Sequence, residues 1–180
     1  MLDEIGLDLE ARIARFIRRK QSDEHDGWPL YHGGDFDISC TVKAYYALKL
    51  AGDSPDEPHM LRARAAILAR GGAMMTNVFT HTTLALFEQI PWRGVPYIPV
   101  EMMLMPRWFL FHLSKVSYWS RAVMVPLAIL CTLKARAVNP RKIGIAELFE
   151  TPPELERNWF PIRSLSNRIL ITMDACARRL

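Results

Sequence analysis

Cysteine is scarce: three in 180 residues, Cys40, Cys131 and Cys176. Odd in number, far apart and set in apolar or helical surroundings, they exclude a disulfide framework and read as buried thiols of a reducing compartment. Among His25, His32, His59, His81 and His112 no two stand three or four positions apart, so there is no helical pair of metal ligands. No glycine-rich loop follows a strand, and there is no Gly-x-Ser-x-Gly elbow. Hydrolase, kinase and dinucleotide-binding readings therefore have nothing to rest on, and neither a metal nor a cofactor is expected. The N-terminus is charged throughout and lacks an apolar signal core. The longest apolar run, 122–131, is interrupted by Pro126, whereas a spanning helix needs about 20 apolar residues. The charge excess is small: 23 Lys and Arg against 19 Asp and Glu, net +4. Spread along the chain, it argues against nucleic acid and is compatible with an anionic membrane surface. The cytoplasmic side is the expected location.

What is present is helical periodicity. Over 2–20, Ile5, Leu9, Ile13, Phe16 and Ile17 form one stripe, with Arg12, Arg15, Arg18 and Arg19 elsewhere. Gly and Pro break the pattern across 21–36. A second helix starts at Asp35 or Asp37, carries Ile38, Val42, Tyr45 and Tyr46, and stops at Gly52. A third places Leu61, Ala65 and Leu68 inward and stops at Gly71-Gly72. Thr76 or Asn77 opens a fourth, with Val78, Phe79, Thr82, Ala85 and Leu86 as its stripe. Four prolines between 90 and 106 exclude a long helix there, leaving at most a short one at 99–105. An apolar helix over 117–134 contains Pro126, a short amphipathic piece lies near Leu148-Phe149, and a last helix spans about 161–178. No strand pattern is evident. The expected fold is all-α, antiparallel helix pairs forming part of an α/α barrel, with 1–180 a single partial domain because the last helix lacks a partner.

Three features invite a chemical reading. In the loop Gln21 to Trp28, a glutamine and a Gly-Trp turn can tie two helices, the indole stacking on the Gln side chain and the Gln bonding exposed backbone at a helix start. Asp35-Phe36-Asp37 looks like a Mg²⁺–diphosphate pair, but Mg²⁺ needs more oxygens than one pair offers, so helix capping is the simpler role. Phe79 and Trp119 carry faces able to stabilise a cation by about 2 kcal/mol where water is excluded. Plain core packing is the simpler reading of each.

An ordered set of stretches carries a resemblance. These are Gln21 to Trp28, 37–52, 69–72, Asn77-Val-Phe-Thr80, Ile90-Pro-Trp92, 95–101 and Tyr118-Trp-Ser-Arg-Ala-Val-Met-Val-Pro126. No one of them is specific, but together and in this order they resemble the squalene–hopene cyclase family. The resemblance implies a monotopic, peripheral membrane protein of two α/α barrels that cyclises squalene to hopene or hopanol. It implies that Phe79 and Trp119 are cavity aromatics lining one cavity, and that Met124 lies at the substrate entrance. The family's acidic Asp-x-Asp-Asp-Thr-Ala motif, which belongs to the other barrel, is absent here, and its Gln-Trp repeat occurs once in altered form. The chain is thus expected to be part of the N-terminal barrel, to lack a C-terminal catalytic barrel and to be inactive alone. The alternative is a non-catalytic helical module for a membrane surface or a protein partner.

Overall fold

A computed structural model describes residues 6–98, 100–108, 112–139, 141–156 and 159. The chain divides into two compact units, 1–80 with 139–155, and 81–138 with 156–180. Five α-helices are described: α1 Leu7–Arg19, α2 Ile38–Leu50, α3 Pro58–Leu68, α4 Val78–Leu86 and α5 Tyr118–Leu133. Among the described residues the only β feature is an isolated bridge between Pro29 and Phe36. No described helix is long and apolar enough to cross a membrane.

In the first unit α2 is central. It packs on both α1 and α3 and buries Ser39, Thr41, Val42, Tyr45, Tyr46 and Leu48. Asp37 starts it: the carboxylate accepts the Cys40 amide at 2.6 Å, the ordinary N-cap bond, so Asp37 of the acidic pair is the helix cap. The helix closes with the Asp53 amide donating back to the Leu48 carbonyl at 3.1 Å. α3 begins with Pro58 at its first position, where a missing N–H costs nothing.

Two helices turn a different face inward from the one their pattern suggested. On α3 the buried residues are Met60, Ala63, Ala66 and Ile67, while Leu61 and Ala65 are exposed. Fully buried Ala63 allows close backbone approach, which outweighs the larger apolar volume of Leu61. On α1 only Ala14 is buried, and Leu9, Ile13 and Phe16 remain 60%, 50% and 54% exposed. The first unit is completed by the returning segment 141–149. It buries Ile145, Leu148 and Phe149 and contributes a 3₁₀ turn, Ala146–Leu148, against α3. Gly72 makes room for it: its φ is +72°, and a Cβ there would stand 2.8 Å from the Leu148 carbonyl oxygen.

In the second unit the proline-rich stretch forms 3₁₀ turns at Trp92–Gly94 and Val100–Leu104, as four prolines require. α5 carries Pro126 within it, packs on the 100–104 turn and buries Ala128 and Cys131. The helix expected over about 161–178 lies outside the described residues.

Candidate functional site

Phe79 occupies the first turn of α4, and that turn is fixed from both sides. The Asn77 side-chain oxygen accepts the Thr80 amide at 2.9 Å and the Thr80 hydroxyl at 3.0 Å, while the Asn77 amide donates to the buried Ser39 hydroxyl at 2.9 Å. Further along α4, His81 Nδ1 lies 2.9 Å from the Gly94 carbonyl, and the His81 ring meets Trp159 edge-on, centroids 6.0 Å apart. Gly94 has no room for a side chain, since a Cβ would sit 2.6 Å from the Trp159 ring. These anchors bury Thr80, His81, Thr82, Leu84 and Ala85. Val78 and Phe79, read from the sequence as part of the packed stripe, are instead exposed. The polar caps and the histidine, not the apolar count, decide which way the helix turns.

Trp119 has a similar setting on α5. Ser117 caps that helix, its hydroxyl accepting the Ser120 amide at 3.2 Å, and Tyr118 and Trp119 in the first turn are 82% and 70% exposed. Met124 is only partly exposed. At about 100° per residue it lies near the Ala128 and Cys131 side of α5, away from Trp119. The structure thus separates these two candidates around the helix. Phe79 belongs to the first unit, and Trp119 and Met124 to the second.

The Gln21–Trp28 loop is a staple. Gln21 Nε2 donates to the Asp26 carbonyl at 2.8 Å and to that of His59, the second residue of α3, at 2.9 Å. The Trp28 indole N–H donates to the Ile17 carbonyl near the end of α1 at 2.8 Å, and the Trp28 amide to the Thr41 hydroxyl at 3.0 Å. One loop thereby ties α1, α2 and α3.

Two polar clusters escaped a search confined to spaced histidines. Asp53, Glu57 and His59 place ligand atoms within 4.8 Å of one another. Asp53, buried to 5% exposure, is bonded through both oxygens by Arg18 and lies 2.7 Å from His59 Nε2. Burial alone would raise its carboxyl; the Arg18 and His59 bonds outweigh that and hold it below the usual carboxylate range. With a guanidinium already on Asp53, the group works as an ion-pair clamp between α1 and the start of α3. In the second cluster, Glu147 accepts from the Tyr45 hydroxyl at 3.0 Å and from Lys49. Burial opposes ionisation of Glu147, and the Lys49 bond more than compensates, so its carboxyl is also held low. Burial, with the Glu147 carboxylate beside it, pushes the Tyr45 phenol well up.

A helix-paired α fold with aromatic first turns defines the class. Residues 1–180 match the squalene-hopene cyclase N-terminal domain, and the chain belongs to that family, whose fold is an α/α toroid. It is 56% identical over 158 residues to a squalene–hopene cyclase of Zymomonas mobilis, covering 87% of this chain and 24% of that protein. It is 48% identical over 179 residues to a squalene-hopene cyclase of Schizosaccharomyces japonicus, covering 98% and 27%. A dammaradiene synthase of Dryopteris crassirhizoma is 34% identical over 147 residues, 82% of this chain and 21% of that protein. The chain spans about a quarter of the length of these relatives.

Proposed function

We propose that this chain is the substrate-facing N-terminal part of a squalene–hopene type cyclase, inactive without the remainder of such an enzyme. One observation carries the reading. Phe79 and Trp119 stand on first turns that are independently capped, by Asn77 and Ser117, and both are more than half exposed. A rigidly placed aromatic face stabilises a passing carbocation through its quadrupole and offers no base to quench it. Met124, on the other side of α5, serves at the entrance for the hydrocarbon.

The acid must come from elsewhere. Protonating an alkene needs a carboxylic acid kept protonated in a dry site. Among the described residues the one buried carboxyl, Asp53, is held ionised by Arg18 and His59, and Glu147 by Lys49. Membrane attachment, peripheral and on the cytoplasmic side, belongs to the same proposal. It is supported by Leu104, Trp108 and Tyr118, all largely exposed, since aromatic residues favour the headgroup region.

The test exchanges this chain for the matching stretch of the Zymomonas mobilis relative. The isolated chain incubated with squalene in detergent should form no triterpene detectable by mass spectrometry, whereas the chimera should. Trp119→Ala in the chimera should release partly cyclised products. Turnover by the isolated chain, or an unchanged product profile in the variant, would overturn the corresponding part of the reading.

A further inference from the structure

The buried arc of α4 is centred on a histidine. Thr80, Leu84, His81, Ala85 and Thr82 are all buried. At about 100° per residue they spread over about 200° of the helix, with His81 at the middle. Phe79, two residues earlier, falls about 160° from His81, on nearly the opposite side. Apolar contacts in such an arc are non-directional and tolerate a small turn of the helix about its axis. The His81 contacts do not. Its Nδ1 lies 2.9 Å from the Gly94 carbonyl, and because a carbonyl oxygen only accepts, Nδ1 carries the proton. That carbonyl belongs to a closed turn, in which the Gly94 amide donates to Pro91 at 2.9 Å and the Val95 amide to Trp92 at 3.1 Å. The His81 ring also meets Trp159 edge-on, and Trp159 is held in turn by its indole N–H on the Glu156 carbonyl at 3.1 Å.

We infer that His81 is a positioning residue for the cyclisation, one that fixes the direction in which α4 presents Phe79 and so decides how far the ring-closing cascade runs. At 4% exposure it offers the hydrocarbon almost no surface, and it acts through Phe79. The lever is geometric. A turn of α4 by about 25° would carry a ring about 6 Å from the helix axis through about 2.5 Å. A cation is held only over the ring face, within about 6 Å of its centroid, and a misplacement of about 1 Å can cost about a hundredfold in a catalytic step. A cation that loses its aromatic face before the last ring closes leaves as a partly cyclised product. This role rests on the proposed reading of Phe79 as a cation-stabilising face, and it adds the residue that aims that face.

The experiment uses the Zymomonas mobilis chimera with two readouts. Squalene products are resolved by mass spectrometry, and the Phe79 ring is followed by fluorine NMR after fluorophenylalanine incorporation, its signal assigned by its loss in Phe79→Leu. His81→Leu, which removes the donor, should shift the Phe79 signal and raise the ratio of partly to fully cyclised product about tenfold. His81→Asn, which returns a donor near the Nδ1 position, should restore both. Leu84→Ala, in the same buried arc, should lower the Tm and leave signal and ratio close to the parent's. On a Phe79→Ala background, His81→Leu should change the ratio no further, the non-additivity expected of residues acting as a unit. If His81→Leu fails to fold, His81→Gln, which keeps a donor but displaces it, should give the same shifts. An unmoved Phe79 signal in the folded variant overturns the inference. So does a change in product ratio that persists without Phe79, or an equal change in Leu84→Ala. An unaltered product profile in Phe79→Ala alone sinks instead the cation-stabilising reading, and the fluorine signal still reports whether His81 aims the ring.

Discussion

In the first unit the described polar groups answer one another across helices. Arg18 and His59 meet on Asp53, Tyr45 and Lys49 on Glu147, and Gln21 bridges two carbonyls. In the second unit the described ties run largely from side chain to backbone, as His81 to Gly94 and Trp159 to Glu156. There α5 leaves Tyr118, Trp119, Ile129 and Leu133 uncovered. The first unit specifies its own geometry with paired charges and a buried staple. The second leaves Tyr118 and Trp119 exposed on the capped first turn of α5, its 16-residue helix.

Truncation at the staple should strike hardest. Trp28→Ala removes a buried indole, at 6% exposure, together with its bond to Ile17, and should cost about 3–5 kcal/mol, read as loss of amide protection across α1 to α3. If α5 lost protection equally, the two units would not be separable. Next is Gly72→Ala, which forces a side chain into a glycine-only conformation facing the Leu148 carbonyl. About 2–3 kcal/mol is expected in denaturant titration, with segment 141–149 the first to exchange.

Glu147→Gln leaves Lys49 and Tyr45 with a neutral partner and should cost about 1–3 kcal/mol. Acid should act on the same groups. Asp53 and Glu147 both have native pKa values below their ordinary ones. Their stabilisation is therefore present above the unfolded value, about 4, and lost as pH falls through the lower native values. Thermal melts stepped from pH 6 downward should show the first unit weakening first, and an unchanged Tm below about pH 4 would contradict these ion pairs. Smallest of all, Trp119→Ala should shift the stability of the isolated chain by less than about 0.5 kcal/mol, because the ring is exposed. A larger loss would mean that Trp119 is a packing residue after all.

The all-α architecture was legible in the sequence because each helix is punctuated by chemistry with few alternatives: Asp37 as cap, Pro58 at a first turn, glycines at the stops. Facing was less legible. The choice between Leu61 and Ala63 on α3, or between Phe79 and His81 on α4, depends on partners distant in sequence, Gly94 and Trp159 among them. The clamp on Asp53 joins residues 35 apart, and Glu147 meets Tyr45 across 102. No local spacing announces such pairs. The ring faces of Phe79 and Trp119 invite a cation reading, but only the family resemblance sets it above core packing, since an exposed aromatic and a core aromatic have the same sequence signature.

The return of segment 141–149 to the first unit bears on how the protein is made. Translation delivers residues 6–80 well before Ile145, Leu148 and Phe149, which finish their core, and the whole second-unit stretch 81–138 emerges in between. At about 5–20 residues per second, the nascent first unit waits several seconds with an open apolar seat beside Gly72 and with Tyr45 and Lys49 lacking their carboxylate. During that interval the seat exposes apolar surface that the finished unit covers with Ile145, Leu148 and Phe149. Synonymous codons between 81 and 138 that slow the ribosome would lengthen the exposure without altering a single side chain.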